Sequence, residues 1–323
     1  MQNNHTKIPA AISRCSSYER SELMEGVERL MTSLSFNLSR GSKVLLKPNL
    51  VAAGYPADLA CTHPELVAAV AQWFVDKGVH VAVGDSPATG SGMRAMRISK
   101  MTGALKNLPV TFAPFREVKK LTTRGGVEVA VAVDALECDY FINLPKLKSH
   151  SQARLTLAVK NHYGIVKGWR KAWGHQVHGK GNARPFFDLL ADLPSLVPQG
   201  ISLCDAITAM HVTGPIHGDP YSLGLIAASP SALALDRAFL EVVNLDPELS
   251  PLWCASRDYQ DPGYDLDTLH FPLLCPDQVQ VDDFRVPDHL SPVHFDASHV
   301  LGSLAGRFKV WLTRKRDRKR DCY

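Results

Sequence analysis

The sequence predicts an α/β fold: a mostly parallel sheet flanked by helices, followed by a less regular C-terminal extension. Three observations carry this. Residues 43 to 83 run strand, helix, strand, and that alternation implies parallel pairing. Each apolar strand stops at polar or turn-forming groups: Lys47-Pro48-Asn49, Gly84-Asp85-Ser86-Pro87 and Asn143. Beyond about residue 250 the chain turns Pro- and Asp-rich and loses its periodicity.

Taken in order, residues 18 to 36 read as a helix with Leu23, Val27, Leu30 and Met31 on one face. A strand follows over Lys43 to Leu46, and Pro48 ends it because proline cannot donate to a central ladder. Thr62-His63-Pro64-Glu65 is a helix start, with Thr62 as cap, Pro64 in the first turn and Glu65 at the capping-box position. Gly78 stops that helix. Strand Val79 to Val83, a helix over Met93 to Lys106, and strands Val110 to Phe112 and Val127 to Val133 come next. Tyr140 to Ile142 forms a strand ending at Asn143. Residues 165 to 183, rich in Gly and carrying Trp169, Trp173, His175 and His178, read as a long loop. Phe186 to Leu193 is helical, Ile201 to Leu203 a strand ending at Cys204-Asp205, Leu223 to Ala227 a strand, and Ser231 to Val243 a helix carrying Asp236. The division is an α/β domain over 1–250 and an extension with a basic tail over 251–323.

At 323 residues, with 45% apolar and 21% charged residues, the chain has the composition of an ordinary globule. Its net charge of +4 is unevenly placed. Residues 307 to 323 hold eight Lys or Arg against two Asp, so the remainder is slightly acidic and predicts no nucleic-acid partner. The seven cysteines lack the two-residue gaps of zinc ribbons and ferredoxin-type clusters. Reduced thiols, and so a cytoplasmic protein, are expected. No signal peptide and no membrane span are read. The basic tail follows Phe308, Val310, Trp311 and Leu312, a pattern that fits peripheral contact with an anionic membrane as well as a solvated terminus.

The chemistry concentrates at strand ends. Lys146, Lys148 and His150 follow the strand that ends at Asn143, and Lys160-Asn161 follow shortly after. Lys47 and Asn49 end one earlier strand, Asp85 and Ser86 another. Parallel strands bring such ends to one sheet edge, where ligands bind. Clustered ammonium groups there predict a small anionic partner, a carboxylate or phosphate, with Asp85 and Asp205 as balancing charges. Crowding and burial lower a lysine's pKa, so one lysine can serve as a base or as a carbonyl-condensing amine. Lys146, Lys148, His150, Lys160 and Asp85 are the catalytic candidates; Lys47, Asn49, Ser86, Asn143 and Asn161 are the binding candidates. His150 and His162 also fit hydrogen-bonded structural roles. His175 and His178, three apart, are the metal-ligand candidates. Cys61, just before the Thr62 helix start, is expected to feel the helix dipole. Gly84, Gly90 and Gly92 lack the dinucleotide spacing, so NAD is not supported, and there is no Walker motif or Gly-x-Ser-x-Gly elbow.

Five stretches resemble the family known as domain of unknown function 362: Val44-Leu45-Leu46-Lys47-Pro48-Asn49-Leu50, Val83-Gly84-Asp85-Ser86, Asn143 through His150, Val159-Lys160-Asn161-His162-Tyr163-Gly164, and Cys204-Asp205-Ala206-Ile207 with Gly214-Pro215. The resemblance implies an α/β fold, a distant fold likeness to lactate-racemase-type enzymes, and an association with iron–sulfur proteins. This chain has no clustered cysteine run, so a metal or iron–sulfur cluster would come from a ferredoxin-like partner. Two functions follow as expectations: an enzyme acting on a small anion, or a non-catalytic iron–sulfur or metal-associated accessory protein in a redox pathway.

Overall fold

A computed structural model of the chain describes residues 7–51, 59–87, 91–167 and 184–291. His175, His178, Gly90 and the basic tail lie outside the described residues, as do residues 168–183 of the loop. The elements in chain order are β1 (Ile8–Pro9), β2 (Ala11–Arg14), α1 (Arg20–Ser33), β3 (Lys43–Pro48), α2 (Pro64–Asp76), β4 (His80–Val83), α3 (Gly92–Ile98), α4 (Met101–Ala104), β5 (Val110–Phe112), β6 (Val118–Thr122), β7 (Glu128–Ala132), β8 (Tyr140–Leu144), β9 (Lys146–His150), β10 (Arg154–Thr156), α5 (Ala158–Asn161), α6 (Arg184–Asp192), β11 (Gly200–His211), β12 (Asp219–Ser229), α7 (Ala232–Val242), α8 (Pro251–Asp258) and β13 (Leu269–His270).

The central sheet is parallel through β5, β4, β3, β8 and β11, then antiparallel through β12 and β2. Side-chain alternation sends the two faces of each strand into separate cores. Leu45 and Phe141 enter one, with α5, α6, α7 and α8. Val44, Leu46, Ile142 and Leu203 enter the other, with α1 to α4. The result is a three-layer helix–sheet–helix stack, as the sequence predicts. Leu252, Ala255, Leu269 and Phe284 join the first core, so residues 251–291 pack directly on the sheet's helical layer.

Three local findings differ from the sequence reading. The strand at Tyr140 does not give way to a loop. Pro145 interrupts it for a single residue, and β9 continues beside β11, with Lys146 opposite Asp205 and Lys148 opposite Met210. β11 is therefore much longer than Ile201 to Leu203, because its first part lies against β8 and its second against β9. The α2 cap is His63, whose Nδ1 accepts the Glu65 N–H at 3.3 Å. Thr62 instead donates to Leu144 O at 2.6 Å and ties the helix start to the end of β8. The helix over Met93 to Lys106 is two helices, broken where Lys100 takes a left-handed φ of 60°. Gly78, at φ 74°, ends α2 as expected.

Candidate functional site: a lysine cluster at the sheet edge

Lys47 is the last side chain of β3 before its proline, on the α5 side of the sheet, and is fully buried. Its Nζ lies 2.8 Å from Asp85 Oδ1, and it donates to Pro48 O and Asn161 Oδ1, each at 3.2 Å. Asp85, just past β4, accepts the Leu50 N–H at 2.9 Å. Asn161 Nδ2 donates to Asn143 Oδ1 at 2.7 Å, and Asn143 Nδ2 donates to Ala158 O and to Ser202 Oγ at 3.0 Å. Strand ends β3, β4 and β8 are thus stitched to α5 by one polar network. Burial pushes the Lys47 pKa down, and the Asp85 carboxylate opposes that shift. Gly164 sits directly on the pair: a methyl group there would overlap Asp85 Oδ1 and Lys47 Nζ.

Lys146 forms a second closed pair. Its Nζ is 2.9 Å from Asp205 Oδ2 and donates to the Tyr18 hydroxyl at 2.9 Å. Tyr18 donates to Asp205 Oδ1 at 2.8 Å and stacks on His63 with ring centroids 3.7 Å apart. The His63 N–H completes Asp205 at 2.8 Å. Burial and the adjacent carboxylate push the Tyr18 phenol well above its ordinary range, so it stays neutral.

Lys148 and Lys160 differ. Lys148 is buried and donates to Asn49 Oδ1 at 2.9 Å and Ala60 O at 2.8 Å, both neutral acceptors. Burial pushes its pKa down to about 8, with the Lys146 and Lys47 charges adding to that shift. Lys160, in α5, is partly exposed, and its ammonium has no hydrogen-bond or ion-pair partner among the described residues. Desolvation by its surroundings, then the Lys148 and Lys47 charges, push it down to about 8 as well. Four lysines meet two aspartates here, so with every group ionised the edge carries two unbalanced positive charges.

The remaining candidates take the following places. Strand alternation puts His150 on the same face of β9 as Lys146 and Lys148; it is buried, and its Nδ1 accepts the Gln152 N–H at 3.1 Å in the turn to β10. The Ser86 N–H donates to Gly164 O at 3.1 Å, joining the β4 end to the segment after α5. His162 is buried, pairs through Nδ1 with Ala158 O at 2.9 Å and stacks on Phe141. Burial pushes it down to about 4, so it is a neutral structural histidine. Cys61 does not behave as its position before α2 predicts: burial pushes its thiol up, outweighing the Val51 N–H and the lysine charges. Cys138 and Cys204 are raised by burial too. Cys61 and Thr62 line a cavity of about 390 Å³ beside Ser99 and Lys100, at the start of α2. Among the described residues, no three His, Cys, Asp or Glu side chains group as a metal-ligand set.

Two contributors were not visible as site residues in the sequence. Tyr18 lies 128 residues from Lys146, and no local pattern marks it. Asp236, on α7, accepts the N–H groups of Ala158 at 2.6 Å and Val159 at 3.2 Å, which fixes the start of α5. Burial pushes its carboxyl up to about 7 against the lowering effect of those two donors.

The profile of the family described as Domain of unknown function (DUF362) matches residues 44–241. That span holds every lysine and asparagine of the cluster. The thylakoid-associated protein sll1697 of Synechocystis sp. (strain ATCC 27184 / PCC 6803 / Kazusa) is 34% identical over 304 residues, covering 93% of this chain and 94% of that protein. Among solved structures, the lactate racemase apoprotein from Thermoanaerobacterium thermosaccharolyticum aligns over 63% of this chain with a TM-score of 0.42 and 12% identity. The aligned part spans about half of that chain, 52%. Among the described residues no helix is long and apolar enough to cross a membrane.

Proposed function

The chain belongs to the family of Domain of unknown function (DUF362), and we propose that this member is an enzyme that binds a small carboxylate- or phosphate-bearing molecule at the lysine-rich sheet edge. The observation that carries the reading is the contrast among the four lysines. Lys47 and Lys146 are neutralised by Asp85 and Asp205 and act as framework. Lys148, which is buried, and Lys160, which is partly exposed, have no carboxylate partner among the described residues. Ammonium groups crowded together without a counter-charge are costly, and an arriving anion removes that cost.

Replacing both Lys148 and Lys160 by Ala is expected to weaken binding of inorganic phosphate and oxalate by at least about tenfold, since a hydrogen bond to a charged group contributes ~1.5–3 kcal/mol. Wild-type affinity is expected to fall as pH rises through about 8, where both lysines lose their charge. Stability of the unliganded chain runs the other way. Both folded pKa values lie below the ordinary 10.5, so the unfolded chain holds these protons more tightly, and stability rises from pH 8 towards 10.5. Calorimetric titration across pH 6 to 10 reads the binding arm. Equal affinity in the double variant, or affinity that does not change through pH 8, refutes the reading.

Peripheral membrane association is a second reading, favoured by the relative named for the thylakoid. The basic residues 307–323 supply charge for it. The full chain is expected to sediment with phosphatidylglycerol vesicles and not with phosphatidylcholine vesicles, and to lose that preference when the tail's Lys and Arg become Gln. Equal partitioning onto both vesicle types counts against it.

A further inference from the structure

We propose that α3 is the face by which the folded body docks on an anionic lipid surface, with Met93 and Ile98 entering the interface and Arg94 and Arg97 meeting headgroup phosphates. The inference rests on the membrane reading above and adds to it the part of the body that touches the bilayer. Its basis is how the seven residues of α3 (Gly92–Ile98) divide around the helix. Ala95 and Met96 enter the second core, and Ser99 is buried just after them. Around the opposite arc come Met93, Arg97, Arg94 and Ile98, in that order, and all four are exposed. Of the five large apolar side chains exposed among the described residues, two are therefore on this short arc, one at each end, with the two arginines between them. A single exposed apolar residue needs no explanation, but this arrangement is a pattern.

The charge of this region is complementary to an anionic surface. Residues 86–116 hold five Lys or Arg and no Asp or Glu, in a body that is otherwise slightly acidic. Arg94, Arg97, Lys100 and Lys106 are exposed and have no ion-pair partner among the described residues. The β6–β7 hairpin differs: it packs on the first core, across the sheet, and its Lys120 is 3.0 Å from Glu128. The spacing of the apolar groups favours lipid over protein. A protein interface needs a contiguous apolar centre from which charge is excluded. On α3 two guanidinium groups separate the apolar side chains, so no such centre exists. A lipid interface accepts the pattern: the apolar ends pass below headgroup level while the guanidinium groups stay among the phosphates. One weak signal holds a protein at a bilayer only marginally, and a second makes the attachment stable. The basic residues 307–323 attract the chain, and α3 orients its body.

The test measures partition of the full chain onto phosphatidylglycerol vesicles by sedimentation. Met93→Ser with Ile98→Ser keeps every charge and is expected to lower partition by at least about tenfold, because two apolar side chains no longer enter the interface. Arg94→Gln with Arg97→Gln is expected to lower it by at least about tenfold at low salt. Lys119→Gln with Lys120→Gln removes the same charge from the other side of the sheet and is expected to change it by less than about twofold. All three pairs replace solvent-facing side chains, so the urea midpoint should stay at its wild-type value. If neither α3 change lowers partition while neutralising the tail abolishes it, docking through α3 is overturned and the tail reading stands. Equal losses from the arginine pair and the hairpin lysines also overturn it, because no one face is then presented to the bilayer. Loss with the arginine pair but none with Met93 and Ile98 marks a charged surface that any acidic macromolecule would satisfy, and overturns docking on lipid. A wild-type chain that partitions equally onto phosphatidylglycerol and phosphatidylcholine overturns both this inference and the membrane reading it rests on.

Discussion

Asp205→Ala is expected to destabilise the protein by about 3–5 kcal/mol, the range for removing one partner of a buried ion pair. Asp205 and Lys146 are both essentially inaccessible, so loss of the carboxylate strands an ammonium that water cannot reach. The Tyr18 hydroxyl and the His63 N–H lose their acceptor in the same change. The opposite truncation, Lys146→Met, is expected to be milder, because Asp205 keeps the Tyr18 hydroxyl and the His63 N–H as donors. Lys146→Met combined with Asp205→Leu should recover much of the loss, since a buried pair replaced by apolar groups of similar volume is often close to neutral. Urea unfolding reads all three, with the midpoint falling at unchanged slope. If Asp205→Ala unfolds within about 0.5 kcal/mol of wild type, as an ordinary surface change would, the pair is not the framework assigned to it.

Gly164→Ala is expected to cost at least about 1–3 kcal/mol, the range for overpacking a filled interior. The added methyl group would occupy the space of Asp85 Oδ1 and Lys47 Nζ. Flexible side-chain ends normally yield to such an intrusion. These two do not have that freedom: Lys47 is held by Pro48 O and Asn161, and Asp85 by the Leu50 N–H. Separating them would leave an aspartate and a lysine buried without each other. Phosphate affinity should fall along with stability, because Lys47 is bonded to Asn161, the neighbour of Lys160 in α5. A variant with wild-type unfolding midpoint and wild-type phosphate binding would show that the segment after α5 yields freely.

Much of the cluster was legible because strand ends in a parallel sheet meet at one edge whatever the remaining topology. Lys47, Asp85 and Asn143 follow from that rule alone; Lys47 pairs with Asp85 directly and is joined to Asn143 through Asn161. The environment of β9 was not legible. Lys146-Leu147-Lys148-Ser149-His150 has the composition of a solvated turn, and the preceding proline argues for a break. Pairing with β11, about sixty residues later, makes it a buried strand. The separation of the four lysines into neutralised and unneutralised pairs depends on Tyr18, Asp205, Asn49 and Ala60, which are scattered over nearly two hundred residues. The expectation for Cys61 failed for a related reason: proximity to a helix start is a local signal, whereas the burial that raises the thiol is not.

The alternation of strands and helices, the apolar faces that divide into two cores, and the polar residue types at the strand ends were all readable from the order of residues. These depend on side-chain periodicity and turn chemistry, which act over a few residues. Which lysine meets which carboxylate, and therefore which ammonium groups are left for a ligand, emerges only on folding. Desolvation and ion pairing act through space between residues far apart in the chain, and they exist only once the sheet has brought those residues together.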